Sequence, residues 1–244
     1  MFQFKQFTVH QDQTAMKVCT DACVLGAYTT PAQLRLANSA PSILDIGTGT
    51  GLLALMAAQN HPNAHVDAVE IDLDAYTQAS QNVIQSPFAG RIRVHQTAIQ
   101  AFRPDHTYDL ILTNPPFFTN HLRSPDAATN RALHTDTLPF ADLVTAADRL
   151  LHPQGQWWVL LPPYETSLLD GLAAQVGLFP FERLLLRHNA RKTPFRHITG
   201  YRQHGAARRT AQTLTIYEPD TANPTHETYT PAFRQLLQPF YLIF

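Results

Sequence analysis

Leu44-Asp45-Ile46-Gly47-Thr48-Gly49-Thr50-Gly51 is an apolar run that passes into alternating glycines and then into the helical pattern of Leu52 to Asn60. A strand, a glycine turn and a helix in that order open a parallel α/β sheet. The glycines adopt unusual dihedrals and let a ligand come close to the backbone. The spacing is G-x-G-x-G, not the G-x-G-x-x-G that seats a dinucleotide pyrophosphate on a helix N-terminus. Asp45, just ahead of the turn, would repel an anion, so a ligand with a cationic amino group or sulfonium suits this place better.

The next apolar run ends in a second carboxylate, in Ala68-Val69-Glu70-Ile71-Asp72. At a strand end Glu70 can accept two hydrogen bonds from ribose hydroxyls, while Ile71 lies against an adenine face. Together the two segments point to a nucleoside without phosphates, held by Asp45, Gly47, Thr48, Gly49, Gly51, Glu70 and Ile71. The competing reading is a pair of solvated strand-end carboxylates beside a tight turn.

Outward from this unit, short apolar runs alternate with helical segments. Strands are expected at Ser42–Ile46, His65–Ile71, Arg91–Val94, Tyr108–Thr113 and Gln156–Leu161, and helices at Leu52–Asn60, Asp74–Ile84, Phe140–Leu151 and Thr166–Val176. Beyond Gly177, Phe179–Leu186, Arg196–Tyr201 and Thr213–Tyr217 read as strands closing one side of the sheet, and Glu218–Thr230 as a surface loop before a final short helix. The 244 residues fit one domain. Residues 1–41 are expected to form an N-terminal cap, 42–217 the ligand-binding core with its substrate elements, and 218–244 the closing loop and helix.

The fourth strand runs into Asp109-Leu110-Ile111-Leu112-Thr113-Asn114-Pro115-Pro116-Phe117. Two prolines fix the backbone after Asn114 and remove two donors, leaving a rigid acceptor site. The side-chain oxygen of Asn114 and the carbonyl of Pro115 can each take one N–H of a planar amino group, and Phe117 can stack on the ring that carries it. Asn114, Pro115, Pro116 and Phe117 are therefore the candidate catalytic residues. In an arbitrary loop the same tetrapeptide would be an Asx-type turn.

Composition limits the partners. A hydrophobic content of 44%, a charged content of 15% and a pI near 6.9 lack the basic excess of a nucleic-acid coat, so any RNA contact must be local. Between Arg183 and Arg209 lie eight of the 18 Lys and Arg residues and no acidic one, a candidate phosphate track in which Arg191, Lys192 and Arg196 stand out. A solvated strand face with a basic loop is the alternative. The loop after Phe117, through Arg123, Arg131 and His134, is long enough to cover a flipped base. No apolar run approaches a membrane span, and Met1 to His10 lacks a signal-peptide core, which points to the cytoplasm. Cys19 and Cys23, one helical turn apart, have no ligand partners at metal spacing, and Pro62 interrupts His61 and His65. No metal site is expected.

The glycine turn, Glu70 and Asn114 to Phe117 resemble the class I methyltransferases, and the tetrapeptide resembles their amino-methylating branch. Within that branch Lys17-Val18-Cys19-Thr20-Asp21-Ala22-Cys23-Val24-Leu25-Gly26 and Phe240-Tyr241-Leu242-Ile243-Phe244 are similar to the tRNA1(Val) (adenine-37 N6)-methyltransferase family. The resemblance implies a Rossmann-like α/β fold with a mostly parallel seven-stranded sheet flanked by helices, S-adenosyl-L-methionine as cofactor, a tRNA substrate and methylation of an adenine N6. It further implies that Lys17, Thr20 and Asp21 cap the cofactor or substrate pocket. Family members tend to carry an acidic residue after the third strand that meets the cofactor adenine, where this chain has Ala98. Adenine binding would then rest on backbone groups, Ile71 and Ile99. Several relatives have tyrosine where Phe117 stands, so stacking is kept and a hydroxyl is lost.

Because the tetrapeptide recognises a planar nitrogen, guanine N2 in ribosomal RNA and a protein glutamine amide remain alternative acceptors. A non-catalytic RNA-binding module on the same fold is the further alternative. The oligomeric state is not legible in the sequence.

Overall fold

The central strands are apolar almost without a break because helices cover both of their faces. Ile43, Leu44, Ile46, Leu110, Ile111 and Leu112 are all buried. A computed structural model describes every residue except 15, 31–33, 35–38, 117–137, 204–209, 222 and 224–225. In chain order its elements are β1 (Phe2–Gln3), β2 (Thr8–Val9), α1 (Thr20–Tyr28), β3 (Ser42–Ile46), α2 (Leu52–Asn60), β4 (His65–Glu70), α3 (Leu73–Ile84), β5 (Ile92–Gln96) and β6 (Tyr108–Thr113). There follow α4 (Phe140–Leu150), β7 (Leu151–Leu161), α5 (Pro163–Gln175), β8 (Leu178–Arg187), β9 (Arg196–Gln203), β10 (Thr210–Thr215), β11 (Tyr217–Pro219), β12 (Glu227–Tyr229) and α6 (Pro231–Leu237).

The main sheet has the order β10-β8-β9-β7-β6-β3-β4-β5. Strand β9 runs antiparallel to β7 and β8, and the other pairs are parallel. The sheet holds eight strands, the number read along the sequence and one more than the seven that the family resemblance implies. Its edge strand β10, expected over Thr213–Tyr217, begins at Thr210 and pairs with β8 from Thr210↔Glu182 to Thr215↔Arg187. Its first four residues are exposed, as suits a polar strand at a sheet edge.

Alternation along the strands divides the interior in two. Ile43, Leu110, Leu112, Trp158 and Leu160 face one layer, and Leu44, Ile46, Ile111, Trp157 and Val159 the other. The first layer also takes in Phe4, Val9, Leu25, Phe233 and Phe240, so residues from both ends of the chain share a core with the glycine-turn unit. Helix α1, buried from Asp21 to Tyr28, lacks the polar stripe by which a surface helix is read from sequence. It lies so close to α2 that a Cβ at Gly26 would stand 2.5 Å from the Met56 sulfur.

The two ends are joined by an aromatic clasp. Phe4 stacks on Phe7 with ring centroids 4.6 Å apart and bridges to Tyr241. Lys5 N donates to Phe240 O at 2.8 Å, and its Nζ donates to the carbonyls of Gln238 and Phe244.

Arg183, counted in the basic track on sequence, does not belong to it. Its side chain is buried and donates to both oxygens of Asp170 at 2.8 Å and to Thr199 at 2.9 Å. Tyr201 donates to the same Asp170 at 2.7 Å. Removing one partner of such a pair leaves a desolvated charge. Asp170→Ala is expected to lower the unfolding free energy by about 3 kcal/mol in urea denaturation; a loss within experimental error would show that the pair is merely tolerated.

Candidate active site

The turn between β3 and α2 takes the left-handed conformation at Gly47, Gly49 and Gly51, with φ of 70°, 57° and 82°. At Gly47 and Gly49 the space a Cβ would occupy is open, so the backbone itself forms a wall that a ligand can touch. The amides of Gly47 and Thr48 donate to Val69 O at 2.9 and 3.1 Å, which straps the turn to the end of β4.

Asp45 organises this turn from behind. It is fully buried and accepts from the Thr48 hydroxyl at 2.5 Å and from the Ala54 amide at 3.1 Å, while its Oδ1 has no hydrogen-bond partner. Burial pushes its carboxyl up to about 7, and the charge of Glu70 adds to the rise. The expectation that Asp45 faces a ligand cation is therefore corrected: Asp45 does not line the cleft, and its described bonds are spent on the turn and the first turn of α2.

Glu70 stands on the cleft wall. Its Oε2 accepts from the Gly49 amide at 2.9 Å, and its Oε1 accepts from the amides of Ile71 and Asp72 at 2.9 and 3.0 Å. A carboxylate has about four acceptor sites, so the turn's own amides occupy most of them and hold the group in one orientation. What remains for a ribose is narrower than the two free bonds expected from sequence.

The cleft measures about 630 Å³ and is bounded by Gly47, Gly49, Glu70, Ile71, Ala98, Ile99, Asn114 and Pro116 among the expected residues. That is room for a drug-sized ligand. Ile71 is 52% exposed, a large apolar side chain presented to the cleft. Asn114 follows the carboxyl end of β6 and lines the same cleft, and its Oδ1 is buried with no hydrogen-bond partner. Pro115 is buried and does not line the cleft. Phe117 lies outside the described residues.

Three residues expected to cap the pocket do not stand on its wall. Lys17 donates to the carbonyls of Gln11 and Thr14, and so shapes the segment whose Gln13, Thr14 and Met16 do line the cleft. Thr20 starts α1. Asp21 accepts from Arg196 Nε at 2.8 Å. Thr48 and Gly51 likewise stand behind the wall, Thr48 bound to Asp45 and Gly51 packed on Ala79. Gln13, Thr14 and Met16 were missed on sequence because their place comes from tertiary anchoring, in which the amides of Asp12 and Gln13 donate to the buried Gln78 side chain. Thr97 and Gln100 were missed beside Ala98 and Ile99.

The turn between β8 and β9 sits on the same rim as Asn114. β9 starts opposite the carboxyl end of β7, with His197 beside Leu161, and β7 pairs with β6 in parallel. Arg191 and Lys192 are exposed on that turn and have no acidic partner among the described residues. Arg196, expected on the track, is held by Asp21 and lies over the Phe195 ring at 5.4 Å. Arg123, Arg131 and His134 fall outside the described residues.

Burial pushes the thiols of Cys19 and Cys23 up to about 12, so both stay protonated and unreactive. Among the described residues no three His, Cys, Asp or Glu side chains are placed to share a metal ion, and no helix is long and apolar enough to cross a membrane.

A carboxyl raised in the folded state favours folding fully below its ordinary value of 3.8 and loses that contribution as pH climbs through about 7. Urea unfolding without added cofactor, stepped through this range, should therefore show stability falling with rising pH. Asp45→Asn should flatten the fall. Parallel curves for the two proteins would remove Asp45 as its source.

Several comparisons bear on this arrangement. The model of the methyltransferase small domain family matches residues 32–167. A tRNA1(Val) (adenine(37)-N6)-methyltransferase of Dyadobacter fermentans is 46% identical over 245 aligned positions, covering 100% of this chain and 98% of that protein. The protein of the same description from Pedobacter heparinus is 37% identical and covers 100% and 98%. Among solved structures, a predicted O-methyltransferase of Agrobacterium tumefaciens aligns with a TM-score of 0.67 at 18% identity, over 90% of this chain and 96% of that one. A precorrin-6y C5,15-methyltransferase of Geobacter metallireducens aligns with a TM-score of 0.53 at 15% identity, over 80% and 96%. These structures share the class I methyltransferase fold, and their differing acceptors show that the fold does not choose the substrate. The glycine turn, the carboxylate at the end of β4 and the full-length identity together place the chain in the tRNA1(Val) (adenine(37)-N6)-methyltransferase family.

Proposed function

We propose that the protein methylates N6 of adenine 37 in tRNA1(Val), with S-adenosylmethionine as donor, and that Asn114 holds the acceptor amine. The observation that carries this reading is the orphaned Asn114 Oδ1, buried on a residue that lines the same cleft as Gly47, Gly49 and Glu70. A buried acceptor without a partner costs stability. Such a cost is understandable where a substrate N–H completes the bond.

The residues fit the cofactor. Open space beside Gly47 and Gly49 admits a ligand against the backbone, Glu70 offers its remaining acceptor capacity to a ribose, and Ile71 offers an apolar face to a base. When bound, S-adenosylmethionine supplies a methyl group made electrophilic by its sulfonium. The chain's own part is to hold the acceptor. An adenine amine is a poor nucleophile because its lone pair is delocalised into the ring. A hydrogen bond donated from that amine to Asn114 favours a pyramidal nitrogen and fixes its position. The two prolines stiffen the backbone that carries Asn114. The chain would need to supply position and no strong base, because the proton in excess on a methylated nitrogen can pass to solvent.

Arg191 and Lys192, on the rim that carries Asn114, are the described residues best placed for tRNA phosphates. Arg196 contributes by anchoring their turn to α1 through Asp21. The chain acts as one unit, since its cap segment and closing helix share the core of the catalytic sheet, and a tRNA substrate places that activity in the cytoplasm.

Asn114→Ala should lower kcat on tRNA by about a hundredfold or more while S-adenosylhomocysteine still binds within about twofold. Equal loss of both would make Asn114 a residue of folding or cofactor binding. The assay uses deproteinised tRNA, ribosomal RNA and a release factor in parallel, read by nucleoside and peptide mass spectrometry, and methyl incorporation outside tRNA would overturn the substrate. Replacing Arg191 and Lys192 together by alanine should weaken tRNA binding and reduce the slope of log affinity against log salt by about two; an unchanged slope would take that turn out of the interface.

A further inference from the structure

Beyond Glu70 the cleft is walled by Thr97-Ala98-Ile99-Gln100, the segment that leaves β5. It is strapped to the ribose carboxylate's own strand, since the Thr97 amide donates to Glu70 O at 2.9 Å. Ala98 brings no side-chain polar atom, and its carbonyl already accepts from the amides of Ala101 and Phe102 at 2.9 and 3.1 Å. Ile99 is buried in the second core layer. The next polar side chain on this wall is Gln100.

Gln100 Nε2 donates to Asp142 Oδ2 at 3.1 Å, from across 42 positions of sequence. Asp142 lies in the first turn of α4. A carboxylate has no hydrogen to give, so the NH2 of the amide must face Asp142 and its carbonyl oxygen must face away. That settles by chemistry an orientation which the shape of an amide alone would leave ambiguous. No described side chain or amide donates to Gln100 Oε1. An acceptor turned away from Asp142 thus belongs to a side chain that shares the cleft lining with Glu70 and Ile71.

We infer that Gln100, with its amide oriented by Asp142, reads the base of the bound cofactor by accepting a hydrogen bond from its exocyclic amino group. A base with a carbonyl at that position would set acceptor against acceptor and be rejected. The inference rests on the proposed placement of the cofactor ribose at Glu70. It gives this chain a side-chain contact to the base that Ala98 cannot make. If instead the Gln100–Asp142 bond is only a brace between the β5 exit and α4, its loss would lower thermal stability and leave base preference unchanged.

The test is calorimetric binding of S-adenosylhomocysteine and S-inosylhomocysteine, without RNA, so that the acceptor adenine plays no part. The natural protein should prefer the adenosine compound. Gln100→Met, which keeps length without the amide, should weaken adenosine binding by about three- to tenfold and barely change inosine binding, so that the preference narrows. Asp142→Asn should narrow it too, because an amide at 142 can give or accept and no longer dictates how Gln100 points. Equal weakening of both ligands, or no change in either, overturns the inference. Should Gln100→Met fail to fold, Asp142→Asn carries the same two outcomes. Failure of the natural protein to bind the adenosine compound at all would sink the cofactor placement, and it is distinguishable from the other results.

Discussion

Glu70 is the joint on which the cleft depends. Amides from two segments, Gly49 in the glycine turn and Ile71 and Asp72 after β4, converge on one carboxylate. Bonds between amides and an ionised acceptor are about twice as strong as neutral ones, so the ends of two adjacent strands are drawn to a common point. Asp45 does the matching work underneath, joining the turn to the start of α2 through Thr48 and Ala54. The two acids divide the labour. Asp45, away from the cleft, maintains the shape of the turn, and Glu70, on the cleft wall, presents that shape to a ligand.

A preorganised wall of this kind matters because the acceptor side offers little chemistry of its own. Asn114 is a neutral amide, neither an acid nor a base. Rate enhancement on such a site must come from position and desolvation, and small displacements of either partner are then costly. The rigid amide–carboxylate joint on one side and the proline-stiffened strand exit on the other meet that demand.

The elements that carry the chemistry were legible because each is a strand ending in a special residue. β3, β6 and α2 match their expected bounds, and Glu70, Ile71 and Asn114 line one cleft. Helix α1 was not legible, because a helix buried on all sides shows no amphipathic period. α5 begins three residues before the expected Thr166, because proline at a helix's first position begins a helix as readily as it breaks one. Asp21, Arg183 and Arg196 misled for a different reason. Charge on paper says nothing of partners, and Asp21 with Arg196 and Asp170 with Arg183 are satisfied across spans of 175 and 13 positions. Gln100 went unread because its meaning depends on Asp142, on a helix that only the fold brings near.

The aromatic clasp between Phe4 and Tyr241 bears on the order of assembly. Its Lys5 contacts close a span of 233 positions, a long-range closure whose entropy must be met before any reward is collected. The glycine-turn unit, by contrast, is made of neighbours in sequence and can form early. Gln13 and Thr14 on the cleft wall follow the clasped strands, but the anchor of this stretch is Gln78 of α3, which accepts from the amides of Asp12 and Gln13 and is made long before residues 238–244. The cleft wall can thus take its seat while the far strands are still unpaired, and the clasp fastens a flank whose inner face is already set.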